Sequence, residues 1–148
     1  MLTPRFFSFT TFPQFDRMKV EVIMLEEILL YAIRFENCLP PVENKNNTGW
    51  WPHYDLEYPD PDKKIIEGNV EVYYAVLEWM FQIPKYDQRV IYAYLGTGHR
   101  VSDEVAAKKL KTSVTSLVYS QSYLNALRKI AKVATLEKMK DIYKRYIL

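Results

Sequence analysis

The chain has 148 residues, 49% of them hydrophobic and 26% charged, which is typical of a folded globular domain and excludes a largely disordered chain. Its single cysteine, Cys38, excludes an internal disulfide, and its two isolated histidines do not make a metal site. No apolar run reaches the roughly 18 residues that a membrane-spanning helix needs.

The formal net charge of +2 is unevenly distributed along the chain. Residues 1–99 carry 9 Lys and Arg against 14 Asp and Glu, whereas residues 100–148 carry 11 against 4. The basic C-terminal part indicates a polyanion or an acidic partner. The alternative is that these cations only form solvated helix faces.

The first seventeen residues contain two prolines and no continuous apolar segment after the first basic residue. Residues 1–17 are therefore predicted to be an ill-ordered tail and not a secretory signal. Together with the single cysteine, this favours a cytoplasmic protein.

Residues 19–38 lack proline and glycine and are rich in helix-forming residues, which predicts the first helix. Apolar residues cover most of this helix, so we expect it to lie at the centre of the fold or to cover a partner, including a second copy of the chain. The helical N-terminal part would span residues 18–84 and contain a long Pro- and Trp-rich loop over residues 40–63. The aromatic residues of this loop would anchor it to the helices, or else bind bases or a peptide: Trp50, Trp51, Tyr54 and Tyr58.

Two further helices are predicted over residues 65–82 and 85–95, the second beginning just after Pro84. Ser102, which precedes two acidic residues, is a suitable N-cap for a helix over 103–110.

The C-terminal helices follow a second cap at Thr112 and Ser113, which predicts one continuous helix over 114–134. Its leucines would face inward, and its other face would be exposed: Thr115, Ser116, Tyr119, Ser122 and Tyr123. A short basic helix over 136–147 would occupy the last segment, residues 135–148.

These elements predict an all-α protein in one compact unit, with a helix-turn-helix over residues 85–134. In such a motif the second helix places its N-terminal side chains on base edges, while Lys, Arg and helix N-termini contact phosphates. The candidate DNA-binding residues are Arg100, Lys108, Lys109, Lys111, Ser113, Thr115, Ser116, Tyr119 and Tyr123. Ser and Thr discriminate poorly between bases, so most contacts would be non-specific. The same leucine spacing also fits a three-helix bundle that binds no DNA.

Motifs for catalysis are absent from the sequence, which has no zinc-ligand spacing and no nucleophile motif. We therefore expect neither an enzyme nor a bound cofactor or metal.

The segment "SDEVAAKKLKTS", followed by "NALRKI", resembles the C-terminal helix-turn-helix of sigma factors, the region-four type. The segments "CLPP", "GWWP" and "YAVLEWMFQIPKYDQRVIYAY", in that order, resemble an uncharacterised family of phage and prophage proteins. That family joins a helical N-terminal half to a sigma-like C-terminal domain, and the resemblance covers roughly residues 24–134. It implies a phage-associated, transcription-related DNA-binding role, with double-stranded DNA as partner and RNA polymerase or another phage protein as a further partner.

The sequence departs from the sigma pattern at several positions. Lys111 stands where the turn usually has glycine, which makes a left-handed turn conformation more costly. Ala106 stands where a larger aliphatic residue usually packs, and the distance from Ser113 to "ALRKI" is about two residues longer. The basic residues common early in the reading helix are replaced by Val114, Val118 and Ser120.

Two functions from different classes remain open at this stage. One is a phage-type transcription regulator that binds DNA through the helix-turn-helix. The other is a non-enzymatic assembly protein, such as a phage packaging adaptor, that binds a protein partner through helix 19–38 and the aromatic loop.

Overall fold

The computed structural model describes residues 13–38 and 63–148, and over these ranges it contains only helices. The all-α prediction is therefore confirmed. The α-helices are α1 (Pro13–Asn37), α2 (Lys63–Phe81), α3 (Lys85–Leu95), α4 (Asp103–Leu110), α5 (Val114–Tyr119), α6 (Ser122–Ala134) and α7 (Leu136–Ile142), and a π-helix (Tyr143–Ile147) ends the chain.

Helix α1 begins six residues earlier than its apolar pattern predicts, at Pro13. Proline suits a first helical position because the backbone N–H that it lacks would have no partner there. Residues 13–17 of the predicted tail are therefore helical, while residues 1–12 lie outside the described part of the chain. Most of the predicted loop, with all four of its aromatic residues, also lies outside it.

The centre of the core is α1, as predicted from its apolar composition. It packs against α2 and also contacts α3, α6, α7 and the π-helix. Its fully buried apolar side chains are Leu25, Ile28, Leu29, Ala32 and Ile33. This face is covered within one chain, and among residues 20–37 of α1 the exposed large apolar side chains are Val20 and Ile23, which are 58% and 40% exposed. A homo-oligomer through this helix stays a prediction.

The loop between α3 and α4 is held by the end of α1. The Arg34 Nε donates a hydrogen bond to the Gly98 carbonyl oxygen at 2.6 Å, and the Asn37 side-chain amide donates to the Gly96 carbonyl oxygen at 3.2 Å. Gly98 has a φ of 95°, a conformation that other residues rarely adopt. These contacts fix where α4 starts relative to the core.

The predicted bounds of α3 and α4 are confirmed, but the prediction of one helix over 114–134 is wrong. The helix is interrupted at Gln121, whose backbone is in the left-handed conformation, with φ 53° and ψ 39°. Polar side chains stabilise the break: the Oγ atoms of Ser120 and Ser122 lie 2.6 Å apart, and the Asn125 amide donates to the Ser120 carbonyl oxygen at 3.0 Å. Local side-chain hydrogen bonds of this kind compete with helix formation.

Candidate nucleic-acid interface

Helix α4 begins and ends as its sequence predicts. The Ser102 hydroxyl accepts a hydrogen bond from the Val105 N–H, and two acidic residues lie in the first turn. At the other end, Lys111 adopts a left-handed conformation, with φ 57° and ψ 44°. The Thr112 N–H then donates to the Ala107 carbonyl oxygen at 3.0 Å, which satisfies an end carbonyl. Lys111 thus occupies the position where glycine is the usual residue, and the turn forms despite the cost.

Helix α5 is a single short helix on the other side of this turn. The Ser113 hydroxyl accepts a hydrogen bond from the Ser116 N–H at 3.0 Å, so the predicted DNA contact at Ser113 is also the N-cap of the helix. Leu117 is only 2% exposed and anchors α5 to the core. The opposite side of α5 faces solvent.

The exposed side chains of α4, the turn and α5 form one surface, here called the α5 face. It is defined by seven exposed residues: Lys108, Lys109, Lys111, Thr115, Ser116, Val118 and Tyr119. Tyr119 is 90% exposed, and Val118 is 49% exposed. An aromatic side chain that is this exposed does not contribute to a hydrophobic core and is available for contact with a partner.

The three lysines give the α5 face a positive charge. None of the ion pairs among the described residues involves Lys108, Lys109 or Lys111. The whole stretch of residues 105–136 contains six Lys or Arg and no Asp or Glu. The nearest carboxylate along the chain is that of Glu104, one helical turn before Lys108.

Two predicted DNA contacts, Arg100 and Tyr123, form a separate group of contacts with α1 and α3, and their contact with DNA stays a prediction. The Tyr123 hydroxyl donates a hydrogen bond to the Glu26 carboxylate on α1 at 2.5 Å, and its ring stacks on Tyr94 with centroids 4.2 Å apart. The Arg100 guanidinium lies 3.7 Å from the same carboxylate and 5.2 Å from the Tyr123 ring centroid. The physical reason is the break at Gln121, which turns Tyr123 inward.

These residues, together with Asp103, are here called the tyrosine cluster: Glu26, Tyr94, Arg100, Asp103 and Tyr123. The Tyr94 hydroxyl donates to the Asp103 carboxylate at 2.6 Å, which links α3 to the first turn of α4. Burial raises the pKa of Tyr123 well above its ordinary value, and the Glu26 carboxylate raises it further. Burial also raises the pKa of Tyr94, as does its hydrogen bond to Asp103. Both phenols are therefore neutral donors, and the cluster joins α1 to α3, α4 and α6.

Not every basic residue of α6 is available to contact DNA, because one of them forms an ion pair within the chain. Lys129 Nζ lies 2.8 Å from a carboxylate oxygen of Asp87, whose side chain is 6% exposed. Sequence reasoning missed this pair, although an acidic residue one turn before the apolar positions Val90 and Ile91 was a signal that it faces inward. Lys129 therefore stabilises the packing of α6 on α3.

A groove on the α3 side of α4 was also missed. Its volume is about 580 Å³. The residues that line it are Tyr86, Arg89, Tyr92, Ala93, Gly96, Thr97, Lys109, Leu110 and Lys111. Arg89 and Tyr86 stand three residues apart on the exposed side of α3, and this spacing, next to the basic end of α4, was the available signal.

No protein-family model, curated protein or solved structure matches the chain. Within the described ranges, no helix combines the length and the apolar character needed to cross a membrane.

Proposed function

We propose that this protein binds double-stranded DNA through the α5 face and acts as a transcription regulator of the phage type. The observation that carries the proposal is the α5 face itself, which carries an almost fully exposed tyrosine and three exposed lysines that form no ion pair with any residue of the described ranges. The phage-type role, and RNA polymerase or another phage protein as a further partner, rest on the sequence resemblance alone.

The arrangement of α4, turn and α5 supports this function in geometric terms. Two helices joined by a three-residue turn are the form in which many small proteins present a helix to the major groove. Helix α5 is short and contacts mainly α4 and α6, so its outer side remains accessible. Thr115, Ser116 and Tyr119 would face the bases.

The chemistry of the surface favours affinity over sequence discrimination. Lysine ammonium groups contact phosphates without reading bases, and Ser and Thr hydroxyls accept several bases. The face lacks the arginine and asparagine residues that recognise guanine and adenine with two hydrogen bonds each. Binding would therefore depend strongly on salt and weakly on sequence.

The competing assembly function loses part of its support. Its partner helix, α1, buries its main apolar face inside the chain. The aromatic loop that would complete the partner surface lies outside the described residues.

A charge-removal experiment tests the proposal. We expect K108Q/K109Q/K111Q to lower the affinity for random-sequence duplex DNA about 10- to 100-fold, because each phosphate contact releases bound counterions. The slope of log K against log salt should become shallower by about 2.7, since each contact contributes about 0.9.

The chain offers a matched control in K138Q/K140Q/K144Q, which removes three exposed lysines from α7 and the π-helix. This variant changes the net charge equally but should retain most of the affinity. If both triple variants weaken binding to the same degree, the α5 face is not the DNA surface.

A further inference from the structure

The groove between α3 and the end of α4 has the size of a small-molecule site. Its volume of about 580 Å³ lies within the range of roughly 300–1,000 Å³ that is usual for ligand pockets. Ala93 and Leu110 provide apolar contact area in it, and Gly96 and Thr97 also line it.

The charged residues that line the groove within residues 13–38 and 63–148 are all basic. Arg89 comes from α3, Lys109 from α4 and Lys111 from the turn, and no Asp or Glu of these ranges is among the lining residues. Among the described residues, none of these three cations takes part in an ion pair. A guanidinium fork beside two ammonium groups is well suited to a phosphate ester, which accepts several charge-assisted hydrogen bonds.

An anchored aromatic ring lies in the same groove. The hydroxyl of Tyr86 is 3.2 Å from Ser122 Oγ, which itself lies 2.6 Å from Ser120 Oγ. Tyr86 is nevertheless 53% exposed. Its hydroxyl therefore holds the ring in place without covering it, and an aromatic ring next to cations is the usual platform for a nucleobase.

We propose that this groove binds a nucleotide, with its phosphate at Arg89, Lys109 and Lys111 and its base against Tyr86. The ligand chemistry is a phosphate ester next to a planar base. A free nucleotide and a nucleotide of a single strand both provide it. The groove shares Lys109 and Lys111 with the α5 face, but Tyr86 and Arg89 line only the groove, whereas Lys108 and Tyr119 belong only to that face.

Titration of the full chain with adenosine 5′-monophosphate tests the proposal, with adenosine and inorganic phosphate as partial ligands. The readouts are the binding isotherm and the NMR signals of the arginine Nε–H groups and tyrosine rings. The complete nucleotide should bind at least 10-fold more tightly than either part and shift the Arg89 and Tyr86 signals. Equal affinity for the nucleotide and inorganic phosphate, or unchanged Arg89 and Tyr86 signals, would overturn the proposal.

The source of the nucleotide is determined by a 5′-phosphorylated single-stranded tetra-adenylate DNA. Tighter binding of this strand than of the mononucleotide assigns the groove to single strands, and equal binding assigns it to free nucleotides.

Variants of the groove complete the test. Arg89→Gln should lower nucleotide affinity at least 10-fold, and Tyr86→Ala should also lower it because the ring that contacts the base is lost. Arg128→Gln, at an exposed cation on α6, is the charge control and should have no effect. Nucleotide affinity that survives Arg89→Gln contradicts the proposal.

These experiments can refute the nucleotide proposal and the DNA proposal independently of each other. If the groove binds nothing, Lys108→Gln still lowers duplex affinity and Arg89→Gln does not. If duplex DNA is not bound, Arg89→Gln still abolishes nucleotide binding.

Discussion

Two tyrosines four residues apart, Tyr119 and Tyr123, belong to regions with opposite roles. Tyr119 stands on the α5 face and is 90% exposed. Tyr123 belongs to the tyrosine cluster, hydrogen-bonded to Glu26 and stacked on Tyr94. In one continuous helix these residues would share a face. The left-handed Gln121 separates them, so the backbone conformation of one residue decides which tyrosine stabilises the fold and which can contact a partner.

Removing the inner tyrosine should have the largest effect on stability. We expect Tyr123→Ala to lower the free energy of unfolding by about 3 kcal/mol, the lower end of the range for buried aromatics, because Tyr123 is only partly buried. The reason is that α6 loses its stacking on Tyr94 and its hydrogen bond to Glu26. Chemical denaturation measures the change. An unchanged midpoint, together with lost DNA affinity, would show that Tyr123 contacts DNA after all.

The hydroxyl of the same tyrosine should make stability depend on alkaline pH. The pKa of Tyr123 is raised above its unfolded value of about 10. The neutral phenol therefore contributes stability that is fully present below about pH 10 and is lost as pH rises towards the raised folded pKa. Each such phenol steepens the loss by about 1.4 kcal/mol per pH unit.

Between pH 10 and 12, the free energy of unfolding of Tyr123→Phe should fall less steeply with pH than that of the parent chain, by the contribution of one phenol. Denaturation at several pH values measures the two slopes. Tyr119→Phe is the matched control and should leave the slope of the parent chain. A parent chain whose stability is constant from pH 9 to 12 would contradict the role given to the cluster.

Removing the outer tyrosine should affect binding and leave stability unchanged. We expect Tyr119→Ala to reduce duplex affinity about fivefold, equivalent to about 1 kcal/mol, because an exposed ring loses its contact with DNA. The salt slope should not change, since no charge is removed. Fluorescence anisotropy and a thermal melt measure the two properties. A lower melting temperature without a change in affinity would place Tyr119 in the fold and not in the interface.

The smallest expected effect is at the turn, where Lys111 combines a strained backbone with a useful charge. A left-handed conformation costs a non-glycine residue about 1–2 kcal/mol. Glycine avoids this strain, but it loses about 0.5–1 kcal/mol more backbone conformational entropy on folding than other residues. Lys111→Gly should therefore stabilise the protein by about 0.5–1 kcal/mol and lower its DNA affinity.

Gln121→Gly is the control for this substitution, because Gln121 is also left-handed but uncharged. It should be equally stabilising without any loss of affinity. If Lys111→Gly binds DNA as well as the parent chain, the turn lysine does not contact phosphate.

The sequence was sufficient to predict the helices whose ends are marked by local chemistry. Ser102 as a cap and Pro84 before the first turn predicted the bounds of α3 and α4 correctly. The break after Tyr119 was not predictable in this way, because Ser120, Gln121 and Ser122 have only moderately lower helix propensity than leucine or alanine. Hydrogen bonds among these side chains, visible only in three dimensions, decide it.

The candidate site was predicted in part for the same reason. Lys108, Lys109 and Tyr119 are exposed as expected, since they lie on short segments with clear caps. Arg100 and Tyr123 were assigned to the DNA surface because their chemistry suits it, but their partner Glu26 lies 97 residues from Tyr123 along the chain. No local pattern reveals a contact between positions so far apart.

The salt dependence of the parent chain on labelled random-sequence duplex DNA tests the central claim most directly. If Lys108, Lys109 and Lys111 contact phosphates, log K should fall with log salt with a slope of about −2.7 or steeper, which is roughly a 40-fold loss between 50 and 200 mM salt. Absence of binding at 50 mM salt, or binding that does not respond to salt, would contradict the assignment of the α5 face to DNA.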